Sequence, residues 1–132
     1  AEMTVSQTAA RNGIDNTPTH EVLARMRKTA QGLEGVRIVL GGAPIIISSG
    51  YRSPAVNAAV GGAKASQHLT GEAVDFTAPR FGSVVDVFDA IRRSGIKYDQ
   101  IIQEFGSWVH ISFSDKPRGQ ALIIDSNGTR PA

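Results

Sequence analysis

The stretch GGAKASQHLTGEAVDF, residues 61–76, places one histidine and one aspartate seven positions apart among small and apolar residues. Its second half predicts a strand that Pro79 closes, and Asp75 lies in that strand between Val74 and Phe76. A buried carboxylate needs a partner, because an unpaired charge is costly to remove from water. His68, in the loop before the strand, is one candidate partner, and the rest of the sequence has to supply any others.

Length and composition limit the classes of protein to which the chain can belong. Its 132 residues fit one domain, so we predict a single domain over 1–132 with a loosely ordered segment at 1–12. The net charge of +2 is too small and too unclustered to favour nucleic acid as a partner. The absence of cysteine excludes disulfides, thiolate zinc sites and cysteine nucleophiles. We expect neither a signal peptide nor a membrane span, because no apolar run is long enough.

Helix signals occur at four places along the chain. A short helical turn precedes Asn12-Gly13, and a longer helix is predicted to begin with Thr17 as its cap and Pro18 as its first residue. Ser53 and Pro54 begin a third helix, which ends at Gly61-Gly62. In the fourth, SVVDVFDAIRRSG at 83–95, one apolar face is predicted, formed by Val84, Val85, Phe88 and Ile91.

Strand signals follow the helices and alternate with them. They lie in PIIISSGYR at 44–52, EAVDFTAP at 72–79, YDQIIQEF at 98–105, SWVHISFS at 107–114 and QALIIDS at 120–126. Glycine-containing turns separate the last three, which predicts an antiparallel meander. We therefore predict an α+β fold, an antiparallel sheet of about four strands with helices packed on one side.

His110 is the third residue that can join the cluster. Strand alternation places Trp108, His110 and Ser112 on one face and Val109, Ile111 and Phe113 on the other, which we expect to be the core. Two neighbouring strands can then direct Asp75 and His110 to one point. Two histidines and one carboxylate with an open position form a catalytic zinc arrangement. The alternative is a loop histidine, a hydrogen-bonded strand histidine and an aspartate in a salt bridge.

Two further residues can complete a catalytic site. Glu104 ends its strand just before the turn into the strand of His110, where it can take a proton from water and pass it to a leaving amine. Arg52, after Ser-Ser-Gly-Tyr, can hold a carboxylate or a developing oxyanion. The alternatives are a solvated glutamate at a strand end and a surface arginine.

Three sequence blocks together resemble the zinc D-Ala-D-Ala carboxypeptidase family, the M15 peptidases, in particular the short phage and prophage members. The blocks are SGYR at 49–52, S-x-H-x-x-G-x-A-x-D at 66–75 and WVH at 108–110. The resemblance implies the fold shared by these peptidases and hedgehog proteins, and one zinc ion bound by His68, Asp75 and His110. It also implies that Arg52 contacts the substrate or stabilises the tetrahedral intermediate.

The catalytic base departs from the pattern of many relatives. These carry a glutamate three residues before the last histidine ligand, where this chain has Ser107, or a histidine two residues before, where it has Trp108. The E-x5-H spacing of Glu104 to His110 is similar to that of hedgehog signalling domains, and we take Glu104 as the base. Glu72 is the runner-up, but strand parity directs it away from Asp75.

The resemblance implies a peptidoglycan stem peptide as the substrate, with D-Ala-D-Ala as the favoured bond and L-Ala-D-Glu as the alternative. Ser66, Tyr51 and Trp108 are candidate substrate contacts; Ser66 can instead cap the loop, and the two aromatic residues can instead fill the core. We expect a monomer that acts on the bacterial cell wall, in the periplasm or outside the cell, as a phage lysin. Two other interpretations are a zinc-containing wall-binding module without turnover and a structural component of a phage particle.

Overall fold

A computed structural model describes residues 3, 4 and 6–132. These residues form an α+β fold, as predicted, whose elements in chain order are α1 (Gln7–Asn12), α2 (His20–Val39), β1 (Ile46–Ser49), α3 (Pro54–Ala59), β2 (Ala73–Thr77), α4 (Val84–Arg93), β3 (Gln100–Glu104), β4 (Trp108–Ser112), β5 (Gln120–Asp125) and β6 (Gly128–Pro131). The prediction of a loose segment at 1–12 falls partly on residues 1, 2 and 5, which lie outside the described residues. Gly13 ends α1 in a left-handed conformation.

Helix α2 begins two residues later than predicted, with Thr19 as its cap. The prediction of Thr17 was wrong because this residue takes part in an earlier turn. Its backbone N–H and its hydroxyl both donate to the Asp15 carboxylate, at 2.9 and 2.7 Å. An aspartate that binds the backbone two residues later forms a turn of its own and competes with helix initiation. Ser53 caps α3 with Pro54 at its first turn, as predicted.

The buried face of α4 differs from the prediction by one residue. Val87, Phe88 and Ile91 are buried, whereas Val85 is 46% exposed. Val87 and Ile91 are four positions apart and therefore lie on one face of a helix, while Val85 is displaced from both. Ser83 and Asp86 form a reciprocal capping box at the start of α4, which fixes where this face begins.

The sheet has six strands in the order β1-β2-β4-β3-β5-β6, more than the four predicted. It is mixed, because β5 pairs with β3 in parallel while every other pair is antiparallel. The predicted meander was wrong for a topological reason. Both edges of β4 are already occupied, by β2 and β3, so the chain after β4 passes over β3 and pairs with its free edge.

One face of the sheet carries the hydrophobic core. Val74 and Phe76 of β2 and Val109 and Ile111 of β4 are fully buried in a cluster to which α2 and α4 contribute. Close approach of α2 is possible because its Gly32 has no side chain: a Cβ there would lie 2.6 Å from the Phe113 ring. Alternation leaves the opposite face of β2 and β4 to polar side chains. None of the helices in the described residues is long and apolar enough to cross a membrane.

Candidate metal centre

His68, Asp75 and His110 come together on the sheet face opposite the core. Each offers one nitrogen or oxygen atom, and these atoms all lie within 4.8 Å of one another. Asp75 Oδ1 is 3.3 Å from His68 Nε2 and 2.9 Å from His110 Nδ1. All three side chains are buried, with His68 only 3% exposed. The structure therefore brings together the three residues that the sequence singled out.

Strand register produces two of these three positions. Asp75 of β2 lies directly opposite His110 of β4 in the antiparallel pair. Their neighbours Val74 and Val109 point into the core, so alternation directs both polar side chains to the other face. Directly opposed residues have close Cβ atoms, which accounts for the short contact between the carboxylate and the imidazole.

The loop before β2 holds the third residue, His68, through both its backbone and its ring. Its backbone N–H donates to the Ser66 hydroxyl at 3.2 Å, and its carbonyl accepts from the Arg52 backbone N–H at 2.9 Å. Its ring Nδ1 lies 2.6 Å from the Gly50 carbonyl oxygen. Ser66 thus stabilises the loop that presents His68, and the Gly50 carbonyl fixes the orientation of the ring through Nδ1.

The hydrogen bonds of His68 indicate what the cluster requires. A carbonyl oxygen only accepts, so the contact to Gly50 puts a proton on Nδ1 and leaves a lone pair on Nε2 of the neutral ring. That lone pair faces an Asp75 oxygen at 3.3 Å, and two acceptors at this distance repel each other. Either a second proton on the ring or a cation bound by both atoms removes the repulsion. The donor set of two imidazoles and one carboxylate fits a divalent cation such as Zn²⁺.

Asp75 remains ionised in this environment. Burial by itself would raise its pKa, but the hydrogen bond from His110 and the interaction with the His68 ring, which is attractive when that ring is doubly protonated, outweigh burial and hold the pKa of Asp75 well below its ordinary value. The Arg52 guanidinium lies 3.6 Å from the second carboxylate oxygen. A carboxylate that stays charged inside the protein is a suitable cation ligand.

Glu104 lies on the same face of the sheet as His110. It ends β3 opposite Trp108 of β4, and Ile102 is opposite His110 two positions earlier. Burial, and then the negative charge of Asp75, raise the pKa of Glu104, an effect that His110 partly offsets. A carboxyl group with a raised pKa beside a cation site is suited to accept a proton and return it.

Trp108 is half-buried beside Glu104. Its indole N–H interacts with the Glu104 carboxylate and slightly lowers the pKa of that group, but it is buried without a hydrogen bond of normal geometry among the described residues. The exposed Phe105 ring lies 6.3 Å from the Trp108 ring, centroid to centroid. Phe105 adopts a φ of 56°, unusual for a residue other than glycine. An aromatic pair therefore lies beside Glu104, with the Phe105 ring exposed.

Arg52 is fixed against the cluster instead of extending into solvent. Its guanidinium donates to the Ser49 hydroxyl and to the Asn57 side-chain oxygen, both at 3.3 Å. With these contacts and the Asp75 contact, Arg52 stabilises the charge of the ligand carboxylate. Any substrate group that Arg52 contacts would lie next to Asp75.

Tyr51 is placed differently from the other candidates. It is 5% exposed and packs with Val22 and Met26 of α2 in a small core cluster. Burial raises the pKa of its hydroxyl. Of the two interpretations made from the sequence, the position of Tyr51 favours a packing role.

Sequence reasoning did not single out three polar residues near the cluster: Gln67, Asp99 and Arg118. Asp99 is 3% exposed and accepts hydrogen bonds from both of the others. The sequence does contain a pattern that indicates a buried, paired Asp99. Asp99 precedes the buried residues Ile101 and Ile102, just as Asp75 interrupts an apolar strand. An acidic residue beside a buried strand needs partners wherever it occurs.

The chain matches a known protein family. A family model described as Peptidase M15 matches residues 1–112, a segment that contains the three clustered residues, Arg52 and Glu104. No curated protein matches the chain significantly.

Proposed function

The chain belongs to the peptidase M15 family, and from this membership we propose that it is a zinc-dependent peptidase that cleaves peptides of bacterial peptidoglycan. The family match confirms the resemblance noted in the sequence motifs. D-Ala-D-Ala is the favoured bond, and L-Ala-D-Glu is the alternative. In this proposal the protein is a monomer that acts on the bacterial wall as a phage lysin.

One observation supports the proposal above all others. His68, Asp75 and His110 present three ligand atoms within 4.8 Å of one another, and Glu104 lies on the same sheet face. A structural zinc site is usually closed by four protein ligands, whereas three ligands leave a position for water or substrate. Hydrolysis requires, besides a bound cation, a neighbouring group that transfers protons, and a carboxyl group with a raised pKa meets this requirement.

In this mechanism the metal supplies a Lewis acid that activates water and polarises a peptide carbonyl. The protein supplies the proton transfers and the positions of the groups. Glu104 accepts a proton from the attacking water on its carboxylate and donates it to the departing amine nitrogen. Arg52 lies 3.6 Å from the Asp75 carboxylate and offers its guanidinium to a substrate oxygen beside it. Gly50 keeps a proton on His68 Nδ1, so that Nε2 faces the cluster.

The bond that is cleaved can be identified with purified protein and defined wall peptides, with and without a chelator. Release of D-alanine, abolished by the chelator and restored by zinc, is the expected result. New free amines without D-alanine would instead identify an endopeptidase. Zinc-loaded protein that cleaves neither peptide would contradict a peptidase and favour the wall-binding module.

The role of Glu104 can be separated from metal binding with Glu104→Gln. We expect the variant to bind zinc like the wild type and to lose about 100- to 10,000-fold in kcat. The matched control is Glu72→Gln, since the Glu72 carboxylate accepts from Thr70 at 2.6 Å and lies in a separate cavity lined by Arg25, Lys28 and Phe113. If Glu104→Gln retains turnover, or if Glu72→Gln loses it, Glu104 is not the base.

A further inference from the structure

A cavity of about 320 Å³ adjoins the metal centre on the His110 side. Its walls include Ser66, Gln67, Gln100 and Arg118, and none of its lining residues is acidic. A larger cavity of about 470 Å³ lies between α2 and β1, but none of the three clustered residues lines it. Because His110 lines the smaller cavity, a group bound at the metal centre can reach that cavity directly.

Asp99 fixes the polar wall of this cavity. One of its carboxylate oxygens, Oδ2, accepts from Gln67 Nε2 and from Arg118 Nη2, both at 2.8 Å. The other, Oδ1, accepts from Arg118 Nε and from the Arg118 backbone N–H, both at 3.0 Å. Because one buried carboxylate binds both side chains, the Gln67 amide and the Arg118 guanidinium are held next to each other. Gln67 directly precedes His68, which ties this wall to the metal centre.

The guanidinium of Arg118 is oriented but not saturated. A guanidinium has five N–H donors in a planar fork, and Asp99 takes the edge formed by Nε and Nη2. The other edge remains, and the side chain is 56% exposed. An arginine held by a buried carboxylate loses little further conformational freedom when it binds a ligand, which favours two parallel hydrogen bonds to a second carboxylate.

We propose that Arg118 is a specificity residue that binds a carboxylate of the substrate peptide in the cavity beside His110. This inference rests on the proposed peptidase function and extends it to the class of substrate: a peptide with a free carboxylate close to the scissile bond. Both candidate bonds offer such a group, the C-terminal carboxylate of D-Ala-D-Ala and a carboxylate of D-Glu. Arg118 lies outside the segment that the family model matches.

The test compares peptides that differ only in charge. Each candidate peptide is made with the free carboxylate and with the carboxamide, and binding to metal-free protein is measured by calorimetry, so that hydrolysis does not interfere. We expect the wild type to bind one carboxylate peptide about 10- to 100-fold more tightly than its amide, as a charge-assisted pair of hydrogen bonds implies. The pair of peptides that shows the preference identifies which carboxylate is bound.

Arg118→Gln should remove this preference, because the variant binds the carboxylate peptide more weakly and the amide peptide as tightly as the wild type does. Arg118→Lys keeps the positive charge next to Asp99 but lacks the planar guanidinium that can form two parallel hydrogen bonds. We therefore expect this variant to keep only part of the preference. The matched control is Arg130→Gln, which removes an arginine of similar exposure, 50%, from its pair with Asp125 on β6. Circular dichroism and thermal unfolding establish that each variant is folded.

Three results would overturn the assignment: a wild type without preference, an Arg118→Gln variant that retains the preference, or an Arg130→Gln variant that loses it equally. If Arg118→Gln does not fold, an Arg118→Lys variant with the full wild-type preference also overturns it. Hydrolysis by the zinc-loaded wild type is scored separately. A preference that depends on Arg118, without any hydrolysis, contradicts the peptidase and leaves Arg118 as a carboxylate-binding residue.

Discussion

At the residue scale, two carboxyl groups of one sheet face have their pKa values displaced in opposite directions. Interactions with His110 and His68 outweigh burial and lower the pKa of Asp75, whereas burial and the charge of Asp75 raise the pKa of Glu104. Groups whose environments separate their pKa values in this way can take different roles in acid–base chemistry. Asp75 is suited to remain charged as a ligand, and Glu104 to exchange a proton.

Asp99 should make a measurable contribution to stability that depends on pH. Hydrogen bonds from Arg118, which outweigh burial, lower its pKa from 3.8 to about 2. A pKa lowered on folding stabilises the protein above the unfolded value and loses this effect as the pH falls through the folded value. We therefore expect Asp99→Asn to cost about 2 kcal/mol near neutral pH, with the difference from the wild type declining between about pH 4 and pH 2.

Urea unfolding of both proteins across this range checks the expectation. Asp125→Asn is the control, because Asp125 pairs with Arg130 at the exposed end of the sheet and should show a smaller effect. A difference between wild type and Asp99→Asn that does not change with pH would mean that the charge of Asp99 contributes nothing to stability.

At the element scale, the sequence predicted the direction of side chains along each strand better than it predicted which strands pair. Parity in β2 and β4 was sufficient to direct Asp75 and His110 to the same face, because side chains alternate along every strand. The partner of β5 could not be read locally, since it depends on which strand edges are already occupied. Strand β6 has only exposed residues and a proline, so it carries neither of the signals by which a strand is recognised.

The loop between His68 and β2 depends on Gly71. This residue has a φ of +79°, and a Cβ on it would lie 2.7 Å from Met26 Cγ and 3.1 Å from the Val22 carbonyl oxygen. Its own carbonyl accepts from the Thr29 hydroxyl at 2.7 Å in the interior. We expect Gly71→Ala to cost about 2–4 kcal/mol, from left-handed strain together with crowding against α2.

Gly61→Ala is the matched control for this substitution. Gly61 has a φ of +69° and no atom within 4 Å of an added Cβ, so this variant isolates the strain, at about 1–2 kcal/mol. Unfolding free energies of the two variants give the cost of crowding by difference. Equal losses of unfolding free energy in the two variants would show that α2 moves to accommodate the methyl group and does not constrain the loop.

At the scale of the whole molecule, the sheet separates stability from chemistry. Its core face, with Phe76, Val109 and Ile111 fully buried, supplies the apolar packing that holds β2 and β4 in register. The open face can therefore bring a carboxylate and two imidazoles together at the cost of local repulsion between acceptors. A cation that relieves this repulsion should stabilise the entire fold, because its ligands come from a loop and two strands of one sheet.

Zinc should accordingly raise the stability of the wild type, and chelation should reverse the effect. The three ligand atoms converge only in the folded chain, since 35 residues separate Asp75 from His110. A ligand that binds the folded state alone stabilises it by about 2.7 kcal/mol when its free concentration is 100 times its dissociation constant. The expected result is a melting temperature that rises with zinc concentration.

His68→Ala should abolish this dependence on zinc, whatever it does to the stability of the metal-free protein. His20→Ala is the matched control, because His20 is exposed in the first turn of α2 and should leave the zinc response intact. The measured quantity is the shift of the melting temperature between chelator and zinc for each protein. If the melting temperature of His68→Ala shifts as much as that of the wild type, the cation binds elsewhere. A second proton on the His68 ring, and not a cation, then removes the repulsion within the cluster of His68, Asp75 and His110.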